Sequence, residues 1–228
     1  MTIYIKKVED EKVDKKYGSY STQSKYNIIE IDDFLPKQYA DQIEGVFKGS
    51  DFPWHYGPVT ADMEIPKHKT FEKVKDSFQF THTSFNKSMH KENTQPAVAP
   101  DFEMLRGVML LAQQRVGFKL IDTYRVKSNF QTQQKNYTKD NFNAPHIDYY
   151  DNNADENYSI LYYVNDSDGD TRWFDKEYNI IKQVTPKKGK AVLFHSNILH
   201  AGSNPIEYVD RLCINYILRM KNVPNSTN

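Results

Sequence analysis

From Phe118 onward the chain breaks into eight short runs rich in β-branched and aromatic residues. The runs are FKLIDTYRVKSNFQ, APHIDYY, YSILYYVN, TRWFD, YNIIKQV, KAVLFH, ILHAGS and DRLCINYILRM. Between them lie turn segments that include NDSDGD, PKKG and SNPIE. Gly, Pro, Asn, Asp and Ser stop a strand because each favours a particular turn geometry. Short strands at this spacing, following a more helical N-terminal half, predict an antiparallel double-sheet jelly roll packed on helices. The fold class is therefore mostly β with N-terminal helices. The 16 Tyr and 13 Phe suit strands and aromatic-lined pockets better than a helical bundle.

Upstream, residues 1–25 are polar and charged and read as an N-terminal arm. A strand is expected at 26–31. The segment PKQYADQIEGVF then predicts a helix with Pro36 in its first turn and Tyr39, Ile43 and Val46/Phe47 on one apolar face. FQFTHTSF (78–85) alternates like a strand. PDFEMLRGVMLLAQQRVG carries the strongest helical period, with Asp101 as its cap, Phe102, Leu105, Val108/Met109, Ala112 and Val116 on one face, and Gly117 as its stop. The resulting division is arm 1–25, a helical and irregular support region 26–117, a β core 118–220 and a tail 221–228.

Lys+Arg and Asp+Glu both total 30, so the formal charge is zero, which argues against a chain that coats nucleic acid. One cysteine, Cys213, excludes an intrachain disulfide and a cysteine-rich structural zinc site. No apolar run approaches the roughly 20 residues of a membrane span, and MTIYIKKVED lacks a signal-peptide core. A cytoplasmic location is the expectation, with no membrane partner and the oligomeric state left open.

The chemistry concentrates in NAPHIDYY. On a strand, residues i and i+2 face one side, so His146 and Asp148 project together and Ile147 turns away. A third ligand is available in LFHSNILHAGS, where His200 is favoured over His195 because Ala201 and Gly202 leave room beside it. Two imidazoles and one carboxylate on one face leave open positions on an octahedral metal, the arrangement of non-haem Fe(II) oxygenases. Arg211 lies near the start of the last strand, where a buried guanidinium demands an anion that it can grip with paired hydrogen bonds.

The stretch from His146 to Arg211 resembles the Fe(II)- and 2-oxoglutarate-dependent dioxygenases, and most of all their prolyl 4-hydroxylase-like branch, which includes virus-encoded members. The pieces that carry the resemblance are HID, YSILYYVNDSDGDTRWF, VTPKKGKAVLFH, LHAGSNP and DRLCINYIL; NIIEIDDFLPKQYADQI looks like the usual entry strand and helix. The resemblance implies a double-stranded β-helix in which His146, Asp148 and His200 bind Fe(II). Arg211 would bind the distal carboxylate of 2-oxoglutarate, with Tyr163 assisting and Tyr162 facing away. Asn215 would lie near the metal. Asn129 stands where many relatives have a pocket tyrosine, and Arg125 and Lys127 share its parity. The implied cosubstrates are 2-oxoglutarate and dioxygen, with ascorbate as a supporting reductant. The implied reaction converts 2-oxoglutarate to succinate and carbon dioxide while a substrate C–H bond is hydroxylated. A prolyl residue of a peptide or protein is the leading substrate. The rivals are a nucleobase, an amino acid or a small metabolite, and a non-catalytic metal-retaining binding protein.

The other histidines, His55, His68, His82, His90 and His195, read as ordinary structural residues. DSDGD lacks the later bidentate Glu of a calcium loop and reads as a turn. KQVTPKKGK reads as an edge hairpin protected by lysines. Trp54 and Tyr56 suit either a substrate lid or a loop anchor.

Overall fold

In the computed structural model, which describes residues 28–61, 65–87, 95–149 and 154–224, the strand-and-turn texture of the C-terminal half becomes two facing antiparallel sheets. In chain order the elements are β1 (Ile29–Ile31), α1 (Lys37–Phe47), β2 (His55–Gly57), a short 3-10 turn (Lys69–Lys73), β3 (Gln79–Asn86), β4 (Ala97–Val98) and α2 (Phe102–Val116). Then follow β5 (Lys119–Thr132), β6 (Asn157–Tyr163), β7 (Thr171–Phe174), β8 (Ile180–Val184), β9 (Ala191–His195), β10 (His200–Gly202) and β11 (Asp210–Lys221). The larger sheet runs β1-β9-β6-β11-β5-β3-β2, with β4 added on β3. The smaller runs β10-β7-β8 and is extended by a bridge between His146 and His200. The mostly β jelly roll with two helices among the described residues is the expected class. None of the described helices is long and apolar enough to cross a membrane.

Strand β6 shows how the layers form. All seven of its residues are buried, so the alternation of an exposed strand is missing. Tyr158, Ile160 and Tyr162 join the core under the helices, whereas Leu161 and Tyr163 join the core between the sheets. Strand β11 divides in the same way: Leu212, Ile214, Tyr216 and Leu218 face the helices, and Cys213 faces the interior. Each large side chain buried in this way stabilises the fold by roughly 1.5–3 kcal/mol. Helix α1 contributes Ala40, Ile43 and Phe47 to the outer core; Val46, expected on that face, is exposed. Helix α2 contributes Phe102, Leu105, Val108, Met109 and Ala112, as its period predicts, and stops at Gly117 with φ 84°. Asp101 stands at the start of α2 without capping it. Its carboxylate is instead held by His82 (3.0 Å) and the Ser84 hydroxyl (2.5 Å).

Three expectations change. The support region holds, besides the expected strands β1 and β3, the short strands β2 and β4, and all four join the larger sheet. APHIDYY is not a regular strand. It pairs with β10 through one bridge and then turns, because Asp148 and Tyr149 both donate their N–H to the Ser196 carbonyl. Trp54 anchors a loop: its ring packs on Phe52 and Phe130, and its N–H donates to the Phe47 carbonyl (3.2 Å). The arm 1–25, the first residues of the strand expected at 26–31, Tyr150 and His90 lie outside the described residues.

The lysine hairpin is ion-paired. Lys182 and Lys190 reach Glu30 on β1, and Lys188 reaches Asp41 and Glu44 on α1. The hairpin thereby ties helix and edge strand to the β core rather than standing free. DSDGD is a turn between β6 and β7, with the Asp168 carboxylate accepting the Ile206 and Glu207 N–H groups.

Candidate metal and anion site between the sheets

The inner faces of the two sheets enclose a cleft of about 570 Å³, its open mouth included. At its centre the chain brings His146, Asp148 and His200 together. The backbones of His146 and His200 exchange both N–H to carbonyl bonds at 2.9 Å, which sets the two imidazoles side by side with ring centroids 4.6 Å apart. His146 Nδ1 faces the Ala144 carbonyl (3.2 Å) and His200 Nδ1 the Ile198 carbonyl (2.9 Å). A carbonyl only accepts, so each Nδ1 carries the proton and each Nε2 presents its lone pair. Both Nε2 atoms point at Asp148, 4.0 Å from Oδ1 for His146 and 3.7 Å from Oδ2 for His200. The three ligand atoms lie within 4.8 Å of one another, and no other such His, Cys, Asp or Glu group occurs among the described residues.

Asp148 is held from three sides. Ser159 Oγ donates to Oδ2 (2.6 Å), Asn215 Nδ2 donates to Oδ1 (2.7 Å), and the Arg125 guanidinium stands 3.7 Å from Oδ1. Burial opposes ionisation of this carboxyl. The neighbouring imidazoles, Arg125 and the Ser159 hydroxyl outweigh burial and hold it below its ordinary range. Burial, with His200 beside it, pushes His146 down to about 4, so its imidazole is neutral at neutral pH. An ionised carboxylate and a neutral imidazole are the protonation states that a metal requires of its ligands. The donor set of two imidazole nitrogens and one carboxylate, with no thiolate, fits Fe(II).

A second charged centre lies deeper in the cleft. Arg211 is 3% exposed, yet no carboxylate among the described residues pairs with it. Its Nε donates to the Gly169 carbonyl (2.7 Å), Nη1 to Gln131 Oε1 (2.8 Å) and Cys213 Sγ (3.3 Å), and Nη2 to Thr171 Oγ1 (2.8 Å). All these acceptors are neutral. A buried cation so placed gains strongly from an arriving anion. The Thr171 hydroxyl accepts from both Arg211 and the Tyr163 hydroxyl (2.7 Å), which leaves its own hydrogen to donate into the cleft.

Two glycines shape this seat. Gly202 brings its backbone against the guanidinium, where an added Cβ would lie 3.4 Å away. At Gly169 a Cβ would collide with the Ser203 carbonyl and approach Arg211 Cδ at 2.8 Å. Gly169→Ala is therefore expected to displace Arg211 and to lower thermal stability. Calorimetric melting checks this, and an unchanged melting temperature contradicts the role given to this turn.

The remaining expected residues divide clearly. Asn129, Asn215, Arg125 and Lys127 line the cleft. Burial and the nearby Arg125 lower the Lys127 ammonium to about 8. Tyr163 lies behind Arg211, with the guanidinium 5.7 Å over its ring, and reaches the cleft through Thr171. Tyr162 faces the helices. His195 is away from the site, with its ring against Tyr158 at 3.9 Å. His82 pairs with Asp101, His68 accepts the Thr70 N–H in the 3-10 turn, and His55 is exposed on the edge strand β2.

Sequence reasoning did not single out Ser159, Gln131 and Thr171. Parity was the available signal for the first two, since Ser159 shares the face of Tyr163 and Gln131 that of Asn129. No pattern marks the network that holds the HID segment. Tyr137 donates to Asn143 Oδ1 (2.5 Å), Asn143 donates to Asn204 Oδ1 (2.9 Å), and Asn204 donates to the Thr132 carbonyl (2.9 Å). Buried Arg172 adds bonds to Ser203 Oγ (2.6 Å) and the Lys139 carbonyl.

Comparison with known proteins bears on this geometry. Residues 132–219 match the 2OG-Fe(II) oxygenase superfamily, a span that contains the HID segment, His200 and Arg211. No curated protein matches the chain. Among solved structures, an oxidoreductase of the 2OG-Fe(II) oxygenase family from Burkholderia pseudomallei is similar at TM-score 0.61 and 11% identity, covering 91% of this chain and 92% of that one. A prolyl hydroxylase from Trichoplax adhaerens, in complex with a hypoxia inducible factor oxygen degradation domain peptide fragment, is similar at TM-score 0.54 and 12% identity, covering 92% and 93%. The non-heme alpha ketoglutarate dependent epimerase SnoN from nogalamycin biosynthesis is similar at TM-score 0.53 and 9% identity, covering 91% and 81%. At these identities the likeness is one of fold.

Proposed function

We propose that the chain is a 2-oxoglutarate-dependent dioxygenase that hydroxylates prolyl residues of a peptide or protein, a reading supported by the match of residues 132–219 to the 2OG-Fe(II) oxygenase superfamily. The observation that carries the oxygenase reading is the convergence of two Nε2 atoms on Asp148 beside a buried Arg211 that has no carboxylate partner. The family implies Fe(II), 2-oxoglutarate and dioxygen, and when bound these supply the oxidising power of the reaction.

The chain's own residues supply position and charge. His146, Asp148 and His200 would hold the metal, and a set of only three protein ligands would leave it able to take up cosubstrate and dioxygen. Ser159 and Asn215 fix the Asp148 carboxylate, so the ligand does not swing when substrate enters. Arg211 and Thr171 would bind the distal carboxylate of 2-oxoglutarate, while Gln131 and the Gly169 carbonyl fix the guanidinium plane. Tyr163 orients Thr171. Asn129 and Asn215 line the space between the two charged centres. The apolar interior around Leu161, Trp173 and Phe194 keeps water from the metal face. Support for a prolyl substrate comes from the resemblance of the HID-to-Arg211 stretch to prolyl hydroxylases and from the shared fold with a peptide-bound member.

The test is succinate release that requires both Fe(II) and 2-oxoglutarate, with mass spectrometry of proline-containing peptides for a gain of one oxygen. No 2-oxoglutarate consumption under any substrate defeats the oxygenase reading. Consumption with oxygen inserted only at other residues or in small metabolites defeats the prolyl part.

A further inference from the structure

We infer that the primary substrate carries a carboxylate, bound by Arg125 and Lys127 on the side of the cleft away from Arg211. This rests on the oxygenase reading above and narrows its substrate class.

Strand β5 presents Arg125, Lys127, Asn129 and Gln131 to the cleft at alternate positions. Its pairing with β11 sets Gln131 opposite Arg211, Lys127 opposite Asn215 and Arg125 opposite Ile217. From Gln131 to Arg125 the strand covers about 20 Å. The distal carboxylate of 2-oxoglutarate at Arg211 and the two cations at the other end of β5 thus occupy separate parts of the cleft.

Among the described residues these two cations have no close carboxylate partner. Arg125 Nε is buried without a hydrogen-bond acceptor, and its nearest ion pair is the 3.7 Å approach to Asp148. Lys127 has no carboxylate within ion-pair distance among the described residues. Asp148 is the only acidic residue lining the cleft among those described, and Ser159 and Asn215 already occupy its oxygens. Asp76 is bound to the Thr60 and Ala144 N–H groups. When metal and cosubstrate are bound, the dication and Arg211 balance Asp148 and the dianionic 2-oxoglutarate. Arg125 and Lys127 are then left as surplus positive charge in a partly desolvated cleft. A carboxylate is the group that makes such a pair stable, and an Arg fork with a Lys point donor binds it through charge-assisted hydrogen bonds.

The carboxylate has two sources: the free acid of a small amino acid, or an acidic side chain beside the reacting residue of a peptide. The test is an oxygen-free calorimetric titration of protein first loaded with Mn(II) and 2-oxoglutarate. The probes are N-acetylproline against N-acetylprolinamide, and the blocked dipeptide Pro-Asp against Pro-Asn. The acid of at least one pair is expected to bind about tenfold tighter than its neutral isostere. That preference should vanish in Lys127→Gln and Arg125→Gln, each checked by thermal melting. The pair that shows the preference identifies the source. Equal affinity within both pairs, absence of binding by all four probes, or a preference that survives both substitutions overturns the inference. A Lys127→Gln variant that loses 2-oxoglutarate affinity while keeping the probe preference also overturns it. Failure of the loading step is a different result: it counts against the oxygenase reading itself.

Discussion

Asp148→Ala reduces Fe(II)- and 2-oxoglutarate-dependent succinate release to background. Asp148 is the only negative group of the three proposed ligands, and both Nε2 atoms converge on it. Without it, only the two imidazoles remain, and the positive Arg125 stands beside an empty corner. Loss of a residue that merely supports a ligand costs about 10–100-fold in metal affinity, so loss of the ligand itself costs more. Asn215 also loses its acceptor, at a cost of about 1–3 kcal/mol for a donor left unsatisfied, whereas Ser159 still has Ser196 Oγ at 3.0 Å. The less drastic Asp148→Asn keeps the shape, and Ser159 can still donate to the amide oxygen, so fold is separated from chemistry. It is expected to melt close to the wild type, bind metal weakly and release no succinate. Measured succinate above background in both variants contradicts the ligand assignment.

Arg211→Ala is the second large effect, and it falls on the cosubstrate rather than the metal. The guanidinium is fixed by Gly169, Gln131 and Thr171, all neutral, and its charge is free to serve an anion. Removing one partner of a buried charge pair costs about 2–5 kcal/mol. The dissociation constant of 2-oxoglutarate should therefore rise by roughly 10²–10³-fold, while Mn(II) binding to the His146–Asp148–His200 set persists. Arg211→Lys keeps the charge and loses the fork, and it should fall between the two. A variant that binds 2-oxoglutarate as tightly as the wild type would remove Arg211 from the site.

Much of this was legible before any coordinates. Short β-branched and aromatic runs closed by turn residues located strands β5 to β11, because a buried sheet demands such side chains and its connections demand turn residues. HID, His200 and Arg211 were legible as a set, since no apolar core needs two imidazoles, a carboxylate and a guanidinium in such places. The HID segment itself was misread as a strand. Its single bridge to His200 and the double use of the Ser196 carbonyl depend on long-range pairing, which local pattern does not encode. Strands β2 and β4 were missed because each is two or three residues long and forms only against β3. Asp101 was expected to cap α2, but tertiary contacts with His82 and Ser84 took its carboxylate. Gly169 was visible only as a turn residue. Its closeness to Arg211 and Ser203 follows from a fold that brings residues some forty positions apart together.

The proposed function requires two neighbouring sites, one for a metal and one for a diacid, that act together. An oxygen-free calorimetric titration of Fe(II), followed by 2-oxoglutarate, tests that claim most directly. The expected result is one metal per chain, lost in Asp148→Ala, and 2-oxoglutarate binding that tightens sharply once metal is present. Binding of 2-oxoglutarate with the same affinity in the presence and absence of metal, or undiminished metal uptake by Asp148→Ala, contradicts it.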